Sequence, residues 1–507
     1  MAMDPFRPAR AAVDPVVINI LVTILSTPTS SPPPSLSSSS VSASTPSSTN
    51  LADAERIANK AIRKRMRTDA AEAALTEDER RLIYSRVYGV EVLRKRLEFL
   101  LENAVKQSPM VGKRFGPTLA DFGLPMNATG DPMLVVNRAE CLLALYMLTE
   151  EGKEEGGQAP LVEFLDSDRL EVLGTVGREV MSEGEREALF DSIEDPVARI
   201  AARKSFPEWL VRQFVQAVGV DGAEAMAGAL NQRPPTTLRV NTLKTSREKV
   251  VQELKKRGIA AKSTKYSPWG VVLEEGGGEE GKKGRGFRVF EQDIYKLGYV
   301  DLMNEASQCV ALSTGAKPYD IVLLYGARKG VKALALASML RGNGMIYLWE
   351  PYLRQLFQLN EAIRRGQATD LMEVLPNVNA AMRIKADVVL VDALCSNTGA
   401  LAHHPSMRWL KNETWVVESL VPQQKNDLQN AARAVSPGGV LLYSTCSLLA
   451  CENQEVVDWF DETFADEFES LPFDKTGGPG GNRRALLPHV HGVDGTFIAR
   501  WRRKLGD

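Results

Sequence analysis

The sequence has few of the residues that build metal centres and disulfide frameworks. Its 507 residues include five cysteines and four histidines. The cysteines show no CxxC pairing and no framework spacing. The histidines fall in two pairs, His403/His404 and His489/His491, with no carboxylate at metal-ligand spacing. These patterns predict neither a disulfide scaffold nor a metal site, and they fit a reducing compartment.

Long apolar runs and a net charge of either sign are also missing. Val16–Leu25 is an apolar run that Asn19 and Thr23 interrupt. It is far shorter than the roughly 20 residues that span a bilayer, so we predict no membrane partner. The formal net charge of −2 gives no overall attraction to nucleic acid. Any RNA contact must therefore come from local basic patches.

The first fifty residues are not predicted to fold. Thr27–Asn50 consists almost entirely of Ser, Thr and Pro, a composition that buries too little apolar surface to offset the entropy of ordering. A transit peptide is the alternative, because the segment is Ser-rich and carries Arg7 and Arg10, although Asp4 and Asp14 argue against it. A transit peptide would favour a mitochondrion or plastid. Otherwise a nucleolar or cytoplasmic location is expected.

Apolar spacing predicts an α-helical domain over residues 51–230. Within it, Pro207 is expected in the first turn of a helix, where its missing N–H costs nothing. The densest basic run could contact phosphate, or it could be a solvated helix face. This run comprises Lys60, Arg63, Lys64, Arg65 and Arg67.

A small α/β module is predicted over residues 231–298. Strands are expected at 238–243 and 270–273, and Ser246 is expected to cap a helix that ends by Gly258. Two basic groups could flank an RNA path, the alternative for each being a solvated surface. They are Lys282, Lys283 and Arg285 in a Gly-rich loop, and Arg500, Arg502, Arg503 and Lys504 in the tail.

Strands and helices alternate from residue 299 to the end. Short apolar runs, most of them rich in β-branched residues, lie at 321–325, 345–349, 386–392 and 439–444. Helical segments separate them. This alternation predicts a mostly parallel sheet covered on both faces. Ligands bind such sheets beyond the carboxyl ends of the strands.

Two of these predicted strands end in cysteine. Asp392 closes the 386–392 strand and Cys395 follows three residues later, while Cys446 comes just past the 439–444 strand. If the two strands are neighbours, both thiols lie together at the ligand-binding edge. A single cysteine would more simply be a small buried hydrophobe. Two at equivalent strand ends, one beside an acid, favour chemistry.

Several motifs resemble those of the Sun/RsmB/NOP family of RNA 5-methylcytosine methyltransferases. Asp392-Ala-Leu-Cys-Ser-Asn-Thr-Gly, followed by His-Pro and Arg-Trp, is similar to the family's Asp-Ala-Pro-Cys-Ser-x-Thr-Gly…His-Pro…Lys/Arg-Trp. Thr445-Cys-Ser…Glu452-Asn is similar to its Thr-Cys-Ser…Glu-Asn. Further landmarks in the family order are Arg239-Val-Asn-Thr-Leu-Lys, Asn304-Glu-Ala-Ser-Gln and Asp494-Gly-Thr-Phe-Ile-Ala. The helical region with Phe206-Pro-Glu-Trp-Leu looks like the NusB-like extension of the bacterial RsmB-like ribosomal RNA branch.

The resemblance implies an α/β fold. It implies a Rossmann-like S-adenosylmethionine-dependent methyltransferase domain at 299–507, preceded by an α-helical NusB-like domain at 51–230. Between them a small α/β RNA-binding module is expected at 231–298. The Ser/Pro-rich tail or targeting segment at 1–50 stands ahead of these domains.

The resemblance also implies a chemistry and a partner. The reaction would be methylation of carbon 5 of cytosine in RNA, with ribosomal RNA or an assembly intermediate as the expected partner. Cys446 would add to carbon 6 as a thiolate, which splits one hard step into two. Asp392 would hold or protonate nitrogen 3, and Cys395 would help remove the carbon 5 proton and release the product.

The methyl donor implied by the family is S-adenosylmethionine. Glu350, at the end of the 345–349 strand, stands where the family has an acid that binds the ribose hydroxyls. Asn379 stands where an acid usually meets the adenine. The first cofactor loop supplies Gly326, Gly330 and Lys332, together with Asp392 from the neighbouring strand.

The same loop departs from the family pattern. The family has Leu-Asp-x-Cys-Ala-x-x-Gly-Gly-Lys-Thr, whereas Leu324 replaces the acid here and Val331 replaces a glycine, where it could crowd the donor. Leu394 also replaces the proline before Cys395. Two hypotheses follow. The chain is an active methyltransferase with an unusual donor loop, or it is a catalytically impaired relative that binds RNA as a ribosome assembly or structural factor.

Overall fold

The computed structural model describes residues 17, 18, 21, 77–107, 132–149, 183–274, 289–473 and 481–506. Most of the predicted tail therefore lies outside the described residues, as do the basic run 60–67 and the loop carrying Lys282, Lys283 and Arg285. Val17, Ile18 and Leu21 are helical and buried.

The chain forms two compact units, of which the first contains the residues up to Asn231 together with His404–Asn412. Its described part is helical, as predicted. Asp195 caps the fourth helix by accepting from Val197 N and Ala198 N, and Pro207 stands at the cap position just before the fifth. The helices are α1 (Glu77–Gln107), α2 (Pro132–Thr149), α3 (Glu183–Asp191), α4 (Pro196–Lys204) and α5 (Glu208–Leu230).

The Arg-Trp part of the family motif belongs to this helical unit. Arg408 is buried and donates to Ser205 O at 3.0 Å and to Asn231 Oδ1 at 2.7 Å. Its guanidinium lies 3.9 Å from the ring centroid of Phe206, and burial lowers its pKa to about 9. The short helix α12 (Met407–Leu410) carries it. Arg408 therefore holds the ends of α4 and α5 together within this unit.

The second unit begins with a four-stranded antiparallel sheet in the order β2-β3-β1-β4. Ser246 caps its helix by accepting from Lys249 N, as predicted. The last strand pairs with β1 beyond residue 298, the predicted module boundary. The elements are β1 (Thr237–Val240), α6 (Arg247–Lys256), β2 (Ala261–Ser263), β3 (Gly270–Leu273), α7 (Asp293–Lys296) and β4 (Val300–Leu302).

A Rossmann-like sheet fills the rest of this unit, in the order β10-β12-β9-β8-β5-β6-β7, with β11 paired to β12. The run from β9 to β7 is parallel, and β12 lies antiparallel to β9. All four predicted strands are present. The strands are β5 (Ile321–Tyr325), β6 (Met345–Trp349), β7 (Met372–Val374), β8 (Ala386–Asp392), β9 (Val435–Thr445), β10 (Phe468–Ser470), β11 (Arg483–Leu486) and β12 (Thr496–Arg503).

Helices cover both faces of this sheet, because alternate strand residues point into two separate apolar clusters. Leu323 and Val389 belong to one cluster, whereas Leu324 and Leu390 belong to the other. The helices are α8 (Glu305–Ser313), α9 (Val331–Leu340), α10 (Leu353–Gly366), α11 (Val378–Arg383), α13 (Glu413–Trp415), α14 (Val421–Ala432), α15 (Gln454–Thr463) and α16 (Pro488–His491). Within the described ranges, no helix is long and apolar enough to cross a membrane.

Buried polar side chains tie the small sheet to the large one. Arg239 is fully buried, pairs with Asp301 at 2.6 Å and donates to Ser338 Oγ of α9 at 3.1 Å. Asn241 donates to Gly298 O and to Gly366 O of α10, at 3.0 and 3.1 Å. The Arg-Val-Asn landmark is therefore a structural junction between the two sheets.

Candidate active site

Two thiols meet at the carboxyl edge of the large sheet. Cys395 follows β8 and Cys446 follows β9, and these strands are parallel neighbours. The two Sγ atoms are 3.3 Å apart, and Cys446 Sγ donates to Asn397 Oδ1 at 2.7 Å. Cys395 is buried and Cys446 is half-buried. The predicted proximity of the two strand-end cysteines is confirmed.

The two thiols ionise as a pair. The hydrogen bond from Cys446 lowers the pKa of Cys395, although burial opposes this. The same contact, with burial, raises the pKa of Cys446 well above its ordinary value. Once one thiol of the pair is ionised, a second negative charge at this distance is strongly disfavoured, so the two sulfurs do not both carry a charge at once. The proton on the remaining thiol lies within reach of the other sulfur.

Asp392, the acid predicted for the site, closes β8 beside the thiols. Its Oδ2 lies 2.9 Å from Lys332 Nζ, with both side chains 16% exposed. Lys332 reaches it from the first turn of α9. The two strand-end loops and the donor loop thus meet at this ion pair, and three predicted site residues, Asp392, Lys332 and Cys446, lie around one point.

A buried carboxylate that the sequence reasoning did not single out connects the two cysteine loops. Glu452 accepts from Ser396 N at 2.8 Å and from Gln424 Nε2 at 2.9 Å. It also accepts from the hydroxyls of Ser396 and Ser447, the residues that follow the two cysteines. The signal was present in the sequence, because each cysteine precedes a serine and Glu452 stands in the second motif.

Backbone atoms hold the donor loop between β5 and α9. The N–H groups of Gly326 and Ala327 donate to Trp349 O at 2.9 and 3.0 Å, and Gly330 N donates to Ala327 O at 3.0 Å. Gly326 has a φ of +85°, and a Cβ there would lie 2.6 Å from Asp392 O. Gly330 also has a φ of +85° and immediately precedes α9. Both glycines are therefore required by the turn itself.

Glu350 fits the role predicted for the acid that binds the donor. It is buried just past β6, and its Oε2 accepts from Arg328 N at 2.6 Å while Oε1 accepts from Tyr352 N at 3.0 Å. Burial raises its pKa. Each carboxylate oxygen retains a further lone pair, so ribose hydroxyls can still be accepted. The glycine turn and this acid together suit S-adenosylmethionine.

The two departures in the donor loop are accommodated by packing. Leu324 is fully buried in the apolar cluster on one face of the sheet. Val331 packs against the small cluster of Met303, Ala311 and Ala335, which gives its branched side chain apolar partners. Neither change leaves a polar group stranded. Asn379, proposed to meet the adenine, is exposed on α11, next to the half-buried Ala380.

Arg328 is the second site residue that sequence reasoning missed. It occupies the donor loop with a φ of +53°, and its Nη2 donates to Ala393 O at 3.1 Å. Ala393 lies between Asp392 and Cys395. Burial acts to lower the pKa of Arg328, but the negative charge of Asp392, and then of Cys395 and Cys446, outweighs it, so the pKa of Arg328 is raised. A guanidinium therefore faces the cysteine pair from the donor side.

The part of the chain that the structure describes contains no set of side chains arranged as metal ligands. No group of three or more His, Cys, Asp or Glu side chains there is arranged to hold a metal ion. His403, from one of the two histidine pairs, instead contacts Asp494 Oδ2 at 2.9 Å, and Asp494 also accepts from Asn304 Nδ2 at 2.6 Å. This contact joins three of the family landmarks around the site.

Two family models match the chain. Residues 314–502 match the 16S rRNA methyltransferase RsmB/F domain, and residues 206–278 match the ferredoxin-like domain of the RsmF/B-like methyltransferases. The probable ribosomal RNA small subunit methyltransferase B of Bacillus subtilis is 29% identical over 330 residues, covering 62% of this chain and 70% of the relative. Its namesake from Synechocystis is 29% identical over 312 residues, covering 59% and 67%.

Solved structures support the fold. A methyltransferase homolog protein from Pyrococcus horikoshii superposes with a TM-score of 0.53 at 24% identity, covering 62% of this chain and all of the other. NSun6 from the same organism, solved with SFG, gives a TM-score of 0.51 at 21% identity, covering 60% and 99%. The motifs, the matched domains and the shared fold agree with one another. Over residues 206–278 and 314–502 this chain carries the two domains of the RsmB/F family of S-adenosylmethionine-dependent ribosomal RNA methyltransferases.

Proposed function

We propose that this protein methylates carbon 5 of cytosine in ribosomal RNA through a covalent bond between Cys446 and the base. The observation that carries the proposal is the pair of thiols 3.3 Å apart at neighbouring strand ends, with Asp392 closing one strand. The names of the matched relatives support ribosomal RNA of the small subunit as the substrate class.

Carbon 5 of cytosine is too weak a nucleophile to take a methyl group unaided. In the proposed first step, Cys446 loses its proton to solvent and its thiolate sulfur bonds to carbon 6. Electrons move from the 5–6 double bond toward nitrogen 3, where Asp392 holds or protonates the ring. Carbon 5 thereby gains the electron density that methylation requires.

S-adenosylmethionine, held at Glu350 and the glycine turn, would supply the methyl group. Once carbon 5 carries it, the carbon 5 proton must leave. Cys395, having returned its own proton to solvent, takes this proton, and the bond between sulfur and carbon 6 breaks to restore the double bond. A cytosine in a paired region must first leave its stack to reach the pocket.

A Cys395→Ala variant tests the chemistry directly. Incubated with bulk RNA and S-adenosylmethionine, it should accumulate a protein–RNA adduct that survives denaturation, because product release needs Cys395. The adduct should disappear in the Cys395→Ala/Cys446→Ala double variant. Cys451→Ala, a neighbouring cysteine outside the pair, is the matched control and should behave like the parent. Sequencing the trapped RNA identifies the target cytosine.

The alternative function is an RNA-binding assembly or structural factor without catalysis. The altered donor loop, with Leu324 in place of the family's acid and Val331 in place of a glycine, is the observation that favours it. Intact RNA binding with no adduct from Cys395→Ala, and no heat on titration with the donor, would support that alternative and reject the methyltransferase proposal.

A further inference from the structure

The charges around the cysteine pair are unevenly neutralised. Lys332 is paired with Asp392 at 2.9 Å. Arg328 forms no salt bridge with a residue that the structure describes: its side chain donates to the neutral Ala393 O at 3.1 Å, and Asp392 and Glu350 act on its charge at longer range. Asp392, Glu350 and Glu452 supply the negative charge around the thiols. Glu452, however, is already enclosed by four hydrogen-bond donors.

The backbone of Arg328 is held between the donor loop and the loop that carries Cys395, and its side chain extends from the first to the second. Its N–H donates to Glu350 Oε2 at 2.6 Å, and its left-handed φ of +53° is a conformation that strains a non-glycine residue. From there its guanidinium reaches the loop between Asp392 and Cys395. One residue thus contacts the predicted donor acid with its backbone and the cysteine loop with its side chain.

We propose that Arg328 is a positioning residue whose guanidinium keeps one thiol of the Cys395–Cys446 pair ionised before donor or RNA binds. This inference rests on the proposed function, because an ionised thiol at this position serves covalent catalysis. An opposite charge nearby favours the ionised form, and because Cys395 is buried while Arg328 and Cys446 are half-buried, solvent screens the effect only in part. The guanidinium accordingly acts to lower the pKa of Cys395.

The test measures thiol ionisation in the full chain without donor or RNA. The pH dependence of iodoacetamide alkylation is followed by mass spectrometry at Cys395 and Cys446, where the thiolate attacks carbon, a carbon–sulfur bond forms and iodide leaves. Arg328→Ala should shift the profile to higher pH by about one unit. The alkylation rate at neutral pH should therefore fall about tenfold. Arg328→Lys, which keeps a cation, should retain most of the parent rate.

Lys329→Ala is the matched control, because Lys329 is the exposed neighbour in the same loop. It should leave the profile unchanged, whereas a general loosening of the loop would alter both variants. Ultraviolet absorbance of the thiolate, read against pH, gives a second measure that does not depend on reagent access. A parent-like profile for Arg328→Ala in both measurements would overturn the inference.

This outcome is separate from the test of the proposed function. The alkylation profile reports ionisation even in a protein that transfers no methyl group. An adduct with Cys395→Ala, together with an unshifted profile for Arg328→Ala, would keep the proposed reaction and reject the role of Arg328. A shifted profile with no adduct would keep the role of Arg328 in the thiol pair and reject the methylation.

Discussion

The donor loop after β5 and the two cysteine loops after β8 and β9 lie at the same sheet edge but are held in different ways. In the cysteine loops, side chains make the contacts: Glu452 accepts from two serine hydroxyls, an amide side chain and a backbone N–H. In the donor loop, most contacts join backbone atoms, as from Gly326 and Ala327 to Trp349 O.

This difference explains where the chain departs from its family's motifs. A network of side-chain hydrogen bonds demands particular residues, because each buried donor left without an acceptor costs free energy. Backbone hydrogen bonds form with almost any side chain, so Leu324 and Val331 can stand in the donor loop without disturbing its turn. Of the family's two adjacent glycines Gly330 stays, and its backbone conformation is one that other residues strain to adopt.

The largest expected effect removes the centre of the cysteine-loop network. Glu452→Ala should destabilise the protein by about 3–5 kcal/mol, because several buried donors lose their acceptor. Chemical denaturation measures this. Glu455→Ala, exposed in the first turn of α15, should cost less than about 1 kcal/mol. If Glu452→Ala costs no more than this control, the two kinds of loop are not held as differently as we infer.

The next effect concerns Asp427, which accepts from Tyr325 at the end of β5, and it makes the free energy of unfolding depend on pH. Burial raises the pKa of Asp427 to about 6 from an ordinary value of 3.8. The folded protein therefore keeps a proton that the unfolded chain loses, and stability decreases as pH rises through that window and stays lower above it. Asp427→Asn should raise the free energy of unfolding by up to roughly 3 kcal/mol near pH 8. It should change little at about pH 3, where both states are largely protonated. An equal effect at both pH values would contradict this.

The smallest effect tests the backbone contact that joins the two regions. Gly326→Ala places a Cβ 2.6 Å from Asp392 O, whereas Gly342→Ala meets no atom within 4 Å at a similar φ, +80° against +85°. Both variants incur the strain of a positive φ. Gly326→Ala should cost about 1 kcal/mol or more beyond Gly342→Ala, because the Asp392 backbone must shift. Equal melting temperatures for the two variants would show that the close approach carries no strain.

Much of the fold and part of the site could be predicted from the sequence. The four predicted strands, the cap at Ser246 and the meeting of Cys395 with Cys446 are confirmed. Each depends on local signals: apolar runs of strand length, a capping side chain, or residues at the ends of adjacent parallel strands. The roles of Asp392, Gly326, Gly330, Lys332, Glu350 and Asn379 in the reaction remain predictions.

Other features could not be predicted because they depend on contacts between distant parts of the chain. The helical patterning of residues 51–230 did not indicate that Arg408, about two hundred positions further on, would be buried beside Ser205 and Asn231. Arg239 and Asn241 looked like a landmark of one strand, but their side chains join two sheets. Spacing along the chain gives no information on such partners.

By itself the sequence determined the strand–helix alternation, the positions of two thiols at strand ends and the turn glycines, because these follow from apolar periodicity and from the conformational needs of individual residues. Tertiary structure alone decided which charges face those thiols. Lys332 is neutralised by Asp392, Glu452 is enclosed by donors, and Arg328 donates to the backbone oxygen of Ala393. Electrostatic effects depend on distance and burial, and neither is fixed until the chain is packed.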